Sequence, residues 1–139
     1  MKSKLKIYTS FVSPLTLHEF MDKDLLPIFI VRNISNSELI GDYSRTPVHC
    51  YQLSPSTDLY RKKRDNLITE EEFEKLYAIE MSNVDLESIV KDWELLAECS
   101  GAKGLVLLNY GSSETYRKTL RDILNGSEIF EQQVQEILL

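Results

Sequence analysis

Glycine, proline, cysteine and histidine are all scarce in this 139-residue chain, at five, four, two and two residues. Neither a P-loop nor a Gly-x-Gly-x-x-Gly spacing occurs, which excludes the common glycine-rich phosphate cradles. Cys50 and Cys99 stand far apart; His49 sits beside Cys50, but neighbours on the expected strand point to opposite faces and cannot act together. No Cys-x-x-Cys or His-Glu-x-x-His spacing is present, so no metal site and no cofactor are expected. The two thiols read as reduced, core-type cysteines of an intracellular protein. No apolar run approaches the roughly 20 residues of a membrane span. The N-terminal lysines lack a following apolar segment, so no signal peptide is expected, and the expected location is cytoplasmic.

What is present is an acidic and uneven charge. Sixteen basic and 22 acidic residues give −6 overall. Residues 1–67 hold 10 basic and 7 acidic groups, a balance of +3, whereas residues 68–139 hold 6 and 15, a balance of −9. An acidic chain does not coat duplex nucleic acid, because that affinity comes from neutralising many phosphates. A local basic spot can still hold a few.

The hydrophobic pattern predicts a single α/β domain over residues 1–139. Leu5–Ser10 alternates as a first strand, and a short helix is expected near Leu15–Met21. The apolar run Pro27–Val31 suits a strand covered on both faces. Residues 34–47 carry Asn36, Ser37, Gly41, Asp42 and Pro47 and read as a surface loop. Val48–Leu53 reads as a weaker strand. Ile68-Thr69-Glu70-Glu71-Glu72-Phe73 carries a capping box, with Thr69 as cap, Glu72 at N3 and Ile68 able to staple to Phe73. A helix from Asp85 places Leu86, Ile89, Val90, Trp93, Leu96 and Ala97 on one face and stops at Gly101. The strand Leu105–Leu108 follows. A helix after Ser113 buries Tyr116, Leu120, Ile123 and Leu124, and a last helix from Ser127 buries Phe130, Val134, Ile137 and Leu138. The Ile129–Leu138 stripe suits packing on the domain or a homodimer seam. Strands followed by long crossovers predict a small, mainly parallel sheet with helices packed on it.

Over residues 5–125 the chain resembles the domain-of-unknown-function 488 family, small prokaryotic and phage proteins. The resemblance rests on Ile7-Tyr8-Thr9-Ser10, the Pro27–Arg32 strand, Leu53-Ser54-Pro55-Ser56, the Ile68–Phe73 helix opening and the Leu105–Tyr110 strand with its helix. Members of that family end the last strand in Leu-Leu-Cys-Tyr-Glu and open the next helix with Cys-His-Arg. Here the strand ends Leu107-Leu108-Asn109-Tyr110-Gly111, with Tyr116 and Arg117 at the helix opening. The resemblance therefore implies a scaffold without the family's thiol and imidazole, and favours binding over catalysis.

In a parallel sheet, ligands sit in the crevice outside the strand C-terminal ends. The expected ligand-binding set is Tyr8, Thr9 and Ser10 at the first strand, Arg32 and Asn33 at the second, and Ser54 and Ser56 after the third. Asn109, Tyr110, Ser112, Ser113 and Arg117 complete it at the last junction. These groups hydrogen-bond bases, sugars and phosphates but are poor general acids or bases. Gly111-Ser112-Ser113 reads either as a turn with an N-cap or as an anion seat, against which Glu114 competes. Arg61-Lys62-Lys63-Arg64, read as following a turn and preceding the Thr69 cap, is either a solvated charge run or a contact for phosphate or an acidic partner. Arg117, Lys118 and Arg121 are expected on a solvent face, with Arg117 alone near enough to the helix start to reach a ligand.

The leading expectation is a non-catalytic module binding a nucleotide-like or phosphate-bearing ligand. On the family resemblance it is phage-encoded, works in the host cytoplasm and interferes with a host protein or system. Two alternatives stand beside it. One is an enzyme acting on a nucleotide or nucleic-acid base, with Tyr8, Tyr110 or Tyr116 as acid and Asn109 orienting the substrate. The other is an inhibitor whose acidic C-terminal half docks on a basic protein.

Overall fold

A computed structural model of the chain describes residues 2–32, 48–110 and 115–137. Five strands form one all-parallel sheet: β1 (Ile7–Phe11), β2 (Leu25–Phe29), β3 (Val48–His49), β4 (Gly104–Asn109) and β5 (Gln135–Glu136). Their order is β3-β2-β4-β1-β5. The helices are α1 (Pro14–Asp22), α2 (Thr57–Arg64), α3 (Glu70–Met81), α4 (Leu86–Ser100) and α5 (Thr115–Gly126), with a 3-10 turn at Tyr51–Leu53. This is the expected α/β architecture, and Asn33, the 34–47 loop, the Gly111-Ser112-Ser113 turn and Leu138 lie outside the described residues.

β4 occupies the middle of the sheet, paired from Ile7↔Leu105 to Phe11↔Asn109 on one side and from Leu25↔Gly104 to Phe29↔Leu108 on the other. All six of its residues are buried, as a strand covered on both faces requires. Leu105 and Leu107 join Ile7, Leu26, Ile28 and Ile30 in the larger core, under α2–α5. Val106 and Leu108 face the other way, toward Leu17 and Phe20 of α1. Pro27 fits inside β2 for a positional reason. Ile30 N–H donates to Leu108 of β4 and Cys50 N–H donates to Phe29, so N–H groups of odd parity point at β3. Among the described residues, pairing with β3 begins at Ile28↔Val48, so the missing Pro27 donor costs none of the ladder bonds described there.

Helix boundaries follow the local chemistry. Thr69 and Glu72 form the expected capping box, at 3.1 Å in each direction. Asp85 caps α4 by accepting from Ser88 N–H, and Gly101 ends it at φ 70°, a conformation that costs glycine little. Trp93 is buried in the core stripe as the pattern predicts. Arg61–Arg64 proves to be the last turn of a helix rather than a run after a turn, where cations suit the negative end of the helix dipole.

Two expectations fail together. Residues 127–137 do not form a helix. Asn125 clamps the backbone of Val134, accepting from its N–H at 2.7 Å and donating to its carbonyl at 3.2 Å. Glu131 N–H donates to Ser3, and β5 then pairs with β1 at Tyr8↔Gln135 and Thr9↔Glu136. The strand covers the flank of α5, so Arg117 and Arg121 are not on a solvent face. Arg117 is fully buried and Arg121 nearly so, whereas Lys118 is exposed. Cys99 likewise departs from the core-type reading and is exposed; Cys50 is buried.

Candidate functional site

Topology places a crevice beyond the C-terminal ends of β2 and β4. From β2 the chain goes on to β3, on the side away from β4. From β4 it crosses through α5 to β5, beyond β1. Connections diverging from adjacent parallel strands leave a cleft between them. A cavity of about 420 Å³ opens there, within the range of small-molecule sites.

Its lining comes from five places. Val31 and Arg32 follow β2, and Ser54 and Pro55 follow the 3-10 turn. Thr57, Tyr60 and Lys63 come from α2, Phe73 from α3, and Tyr110 and Tyr116 flank the β4–α5 junction. Four aromatic rings therefore meet two cations. Arg32 lies 6.0 Å from the Tyr51 ring centroid and donates to Pro55 O at 3.1 Å. Lys63 is ion-paired with Glu70. Inside the cavity wall, Tyr116 donates its hydroxyl to Ile30 O at 2.8 Å. Burial, with Tyr60 next, holds this phenol far above the ordinary tyrosine range. Its proton is thus committed to a carbonyl, and the ring serves as a wall rather than an acid. His49 donates through Nε2 to Val31 O, steadying the segment that presents Arg32.

The expected site residues separate into three groups. Arg32, Ser54 and Tyr110 meet at the cavity. Ser56 lies beside it as the N-cap of α2, accepting from Leu59 N–H; its own N–H donates to Glu80 at 2.8 Å and its hydroxyl to the same carboxylate. Asn33, Ser112 and Ser113 fall outside the described residues.

Tyr8, Thr9, Ser10, Asn109 and Arg117 are not brought to the cavity. Thr9 Oγ1 donates to Glu136 at 2.6 Å, and Ser10 Oγ donates to Ile137 O at 2.7 Å, so both fasten the C-terminal strand. Tyr8 is half-buried on the α1 face. Asn109 accepts from Arg117 Nη1 at 2.7 Å. Thr9, Asn109 and Arg117 thus belong to one buried network closed by Glu136 of β5. Tyr60, Lys63 and Phe73 were missed as lining residues because nothing in the sequence marks 57–64 as a helix returning over the sheet edge. Lys63 had a signal, the basic run. Tyr116, expected as a buried helix residue and as a candidate acid, lines the cavity with its ring.

No protein-family model, curated protein or solved structure matches this chain. Among the described residues, no helix is long and apolar enough to cross a membrane. No group of three or more His, Cys, Asp or Glu side chains among them could hold a metal ion.

Proposed function

We propose that the protein binds a nucleotide-like ligand in the cavity at the β2–β4 strand ends, without transforming it. The observation that carries this reading is the meeting of four aromatic rings with Arg32 and Lys63 around about 420 Å³. Aromatic faces stack on bases, and a guanidinium with an ammonium suits a phosphate. Resemblance to the domain-of-unknown-function 488 pattern supports the same junction. In place of that family's thiol and imidazole stand Asn109, Tyr116 and Arg117, of which Tyr116 lines the cavity with its ring, and this favours holding over reacting.

Calorimetry of the full chain against nucleotides, cyclic dinucleotides and short oligonucleotides tests the reading. Binding in at least one class is expected, weakened about tenfold or more in Arg32→Ala by loss of a charge-assisted contact. Absence of binding in every class, or affinity unchanged by Arg32→Ala, overturns it.

A further inference from the structure

Resting on the nucleotide reading of this cavity, we propose that its ligands are nucleoside monophosphates taken with little regard to the base. The incoming phosphate displaces Glu70 from Lys63.

The first half follows from the ring surface of the wall and from two of its hydroxyls that are already used within the protein. Tyr116 spends its hydroxyl on Ile30 O, and Ser54 Oγ donates to Tyr51 O at 2.7 Å. Tyr60, Phe73 and Tyr116 contribute ring surface. Every base has a π-face, so a stacking wall accepts purines and pyrimidines alike. Reading a base edge needs donors and acceptors aimed at it, and those of Ser54 and Tyr116 are engaged within the protein.

The number of phosphates follows from the neighbouring anion seat. The N-terminus of α2 borders the cavity through Thr57 and would suit a second phosphate. It already holds a carboxylate, Glu80, bound by both the N–H and the hydroxyl of Ser56. Among the described residues, the anion position left on the cavity wall is the one beside the cations Arg32 and Lys63.

That position is shared with the protein's own Glu70. Lys63 closes the end of α2, and Glu70 opens α3, so the ion pair bridges the two helices across the cavity rim. Both side chains are substantially solvated, at 34% and 54% exposure, which makes the pair weak. A dianionic phosphate facing Arg32 as well as Lys63 outcompetes a single carboxylate. Released Glu70 remains in the first turn of α3, where the helix dipole favours it. Glu70 is thus a built-in competitor for the anion position.

The experiment titrates AMP, GMP, CMP, UMP, adenosine and inorganic phosphate into the full chain by calorimetry, with Glu70→Gln and Glu71→Gln alongside. Glu71 is the control, since it carries the same charge one residue on but pairs with Lys75. Expected are four monophosphate affinities within about fivefold, with adenosine and phosphate each about tenfold weaker or more. Glu70→Gln should tighten monophosphate binding roughly two- to fivefold, the scale of an exposed ion pair, and Glu71→Gln should not. A preference for one base above about tenfold overturns the indifference to base. Equal effects of the two variants, or no tightening in Glu70→Gln, overturn the exchange while leaving the nucleotide reading intact. Failure of every variant to bind any monophosphate overturns this proposal; binding of other nucleotides in that case spares the broader reading.

Discussion

Arg117 of α5 holds Glu136 of β5 through a buried, two-toothed ion pair. Arg117 Nε lies 3.0 and 2.9 Å from the two carboxylate oxygens, and Nη2 lies 2.7 Å from Oε2. Arg121, one turn further along, adds a contact of 3.3 Å to the same carboxylate. The Phe11 ring lies 5.9 Å from the Arg117 guanidinium carbon. Among the described residues β5 contributes two register pairs to the sheet, so this cluster adds substantially to the ladder in fixing the C-terminal segment. Through Asn109 it also braces the β4–α5 junction, from which Tyr110 and Tyr116 reach the cavity.

Glu136→Ala should therefore be severely destabilising. It takes from a fully buried guanidinium the carboxylate that its Nε and Nη2 hold, and breaking a buried pair from one side costs about 3–5 kcal/mol. Replacing both partners with apolar residues, Arg117→Met with Glu136→Leu, should cost less, because the fully buried guanidinium leaves with its carboxylate while Arg121 keeps its contact with Thr9. Urea unfolding of the three proteins measures the difference. A loss under about 1 kcal/mol for Glu136→Ala would show that the cluster is loosely held.

Two phenols carry comparable consequences. Tyr77 donates to Leu53 O at 2.6 Å and Tyr116 to Ile30 O. Tyr77→Phe or Tyr116→Phe leaves a buried carbonyl unsatisfied and should cost about 1–3 kcal/mol each. Burial above all raises both phenol pKa values well above the ordinary value of 10.0. The stability they contribute is full below that value and is lost as pH rises above it, since the unfolded chain ionises first. Ultraviolet titration should show fewer than the seven tyrosines of the chain ionising before alkaline unfolding. Seven ionisations with the fold intact would refute this.

Elements governed by local chemistry were legible in the sequence. The Thr69 capping box, the Asp85 cap, the Gly101 stop and the apolar β4 run each depend on residues within a few positions of one another. The C-terminal segment was not legible, because Phe130, Val134 and Ile137 recur at helical spacing. In the fold Phe130 and Val134 enter one core while Ile137 packs on the other, held there by long-range partners, Ser3, Thr9 and Asn125. Misreading that segment also misplaced Arg117 and Arg121, whose burial depends on the strand. At the candidate site, Arg32, Ser54 and Tyr110 were legible as residues at strand ends. Tyr60, Lys63 and Phe73 reach the cavity only through the tertiary return of α2 and α3.

Gly104 is predicted to be intolerant of a side chain for reasons of space. A Cβ there would lie 2.9 Å from Lys6 O and 3.1 Å from Leu25 Cδ2. Lys6 O accepts from Leu105 N–H at 2.9 Å, so it cannot retreat without breaking the β1–β4 junction. Gly104→Ala should cost about 1–3 kcal/mol by overpacking. Gly126→Ala meets open space at the end of α5 and should be neutral or slightly stabilising, as alanine is the better helix former. Thermal unfolding of both variants checks the contrast, and equal effects would contradict it.

The two cysteines should differ sharply in reactivity. Cys99 is exposed on α4, whereas Cys50 is buried, and burial pushes its thiol from 9.0 up to about 11. The nucleophile is the thiolate, so at pH 8 a disulfide reagent should titrate one thiol per folded chain quickly and the second only in denaturant. Cys99→Ser should abolish the fast phase and leave the slow one. Because native Cys50 holds its proton to about 11, its contribution to stability is full below pH 9 or so and is lost as pH rises toward that value. Raising pH through this window should thus speed Cys50 labelling twice over, by weakening the fold and by forming thiolate. Two equal rates at pH 8 would mean that Cys50 is open to solvent and that the wall behind the 3-10 turn is not closed.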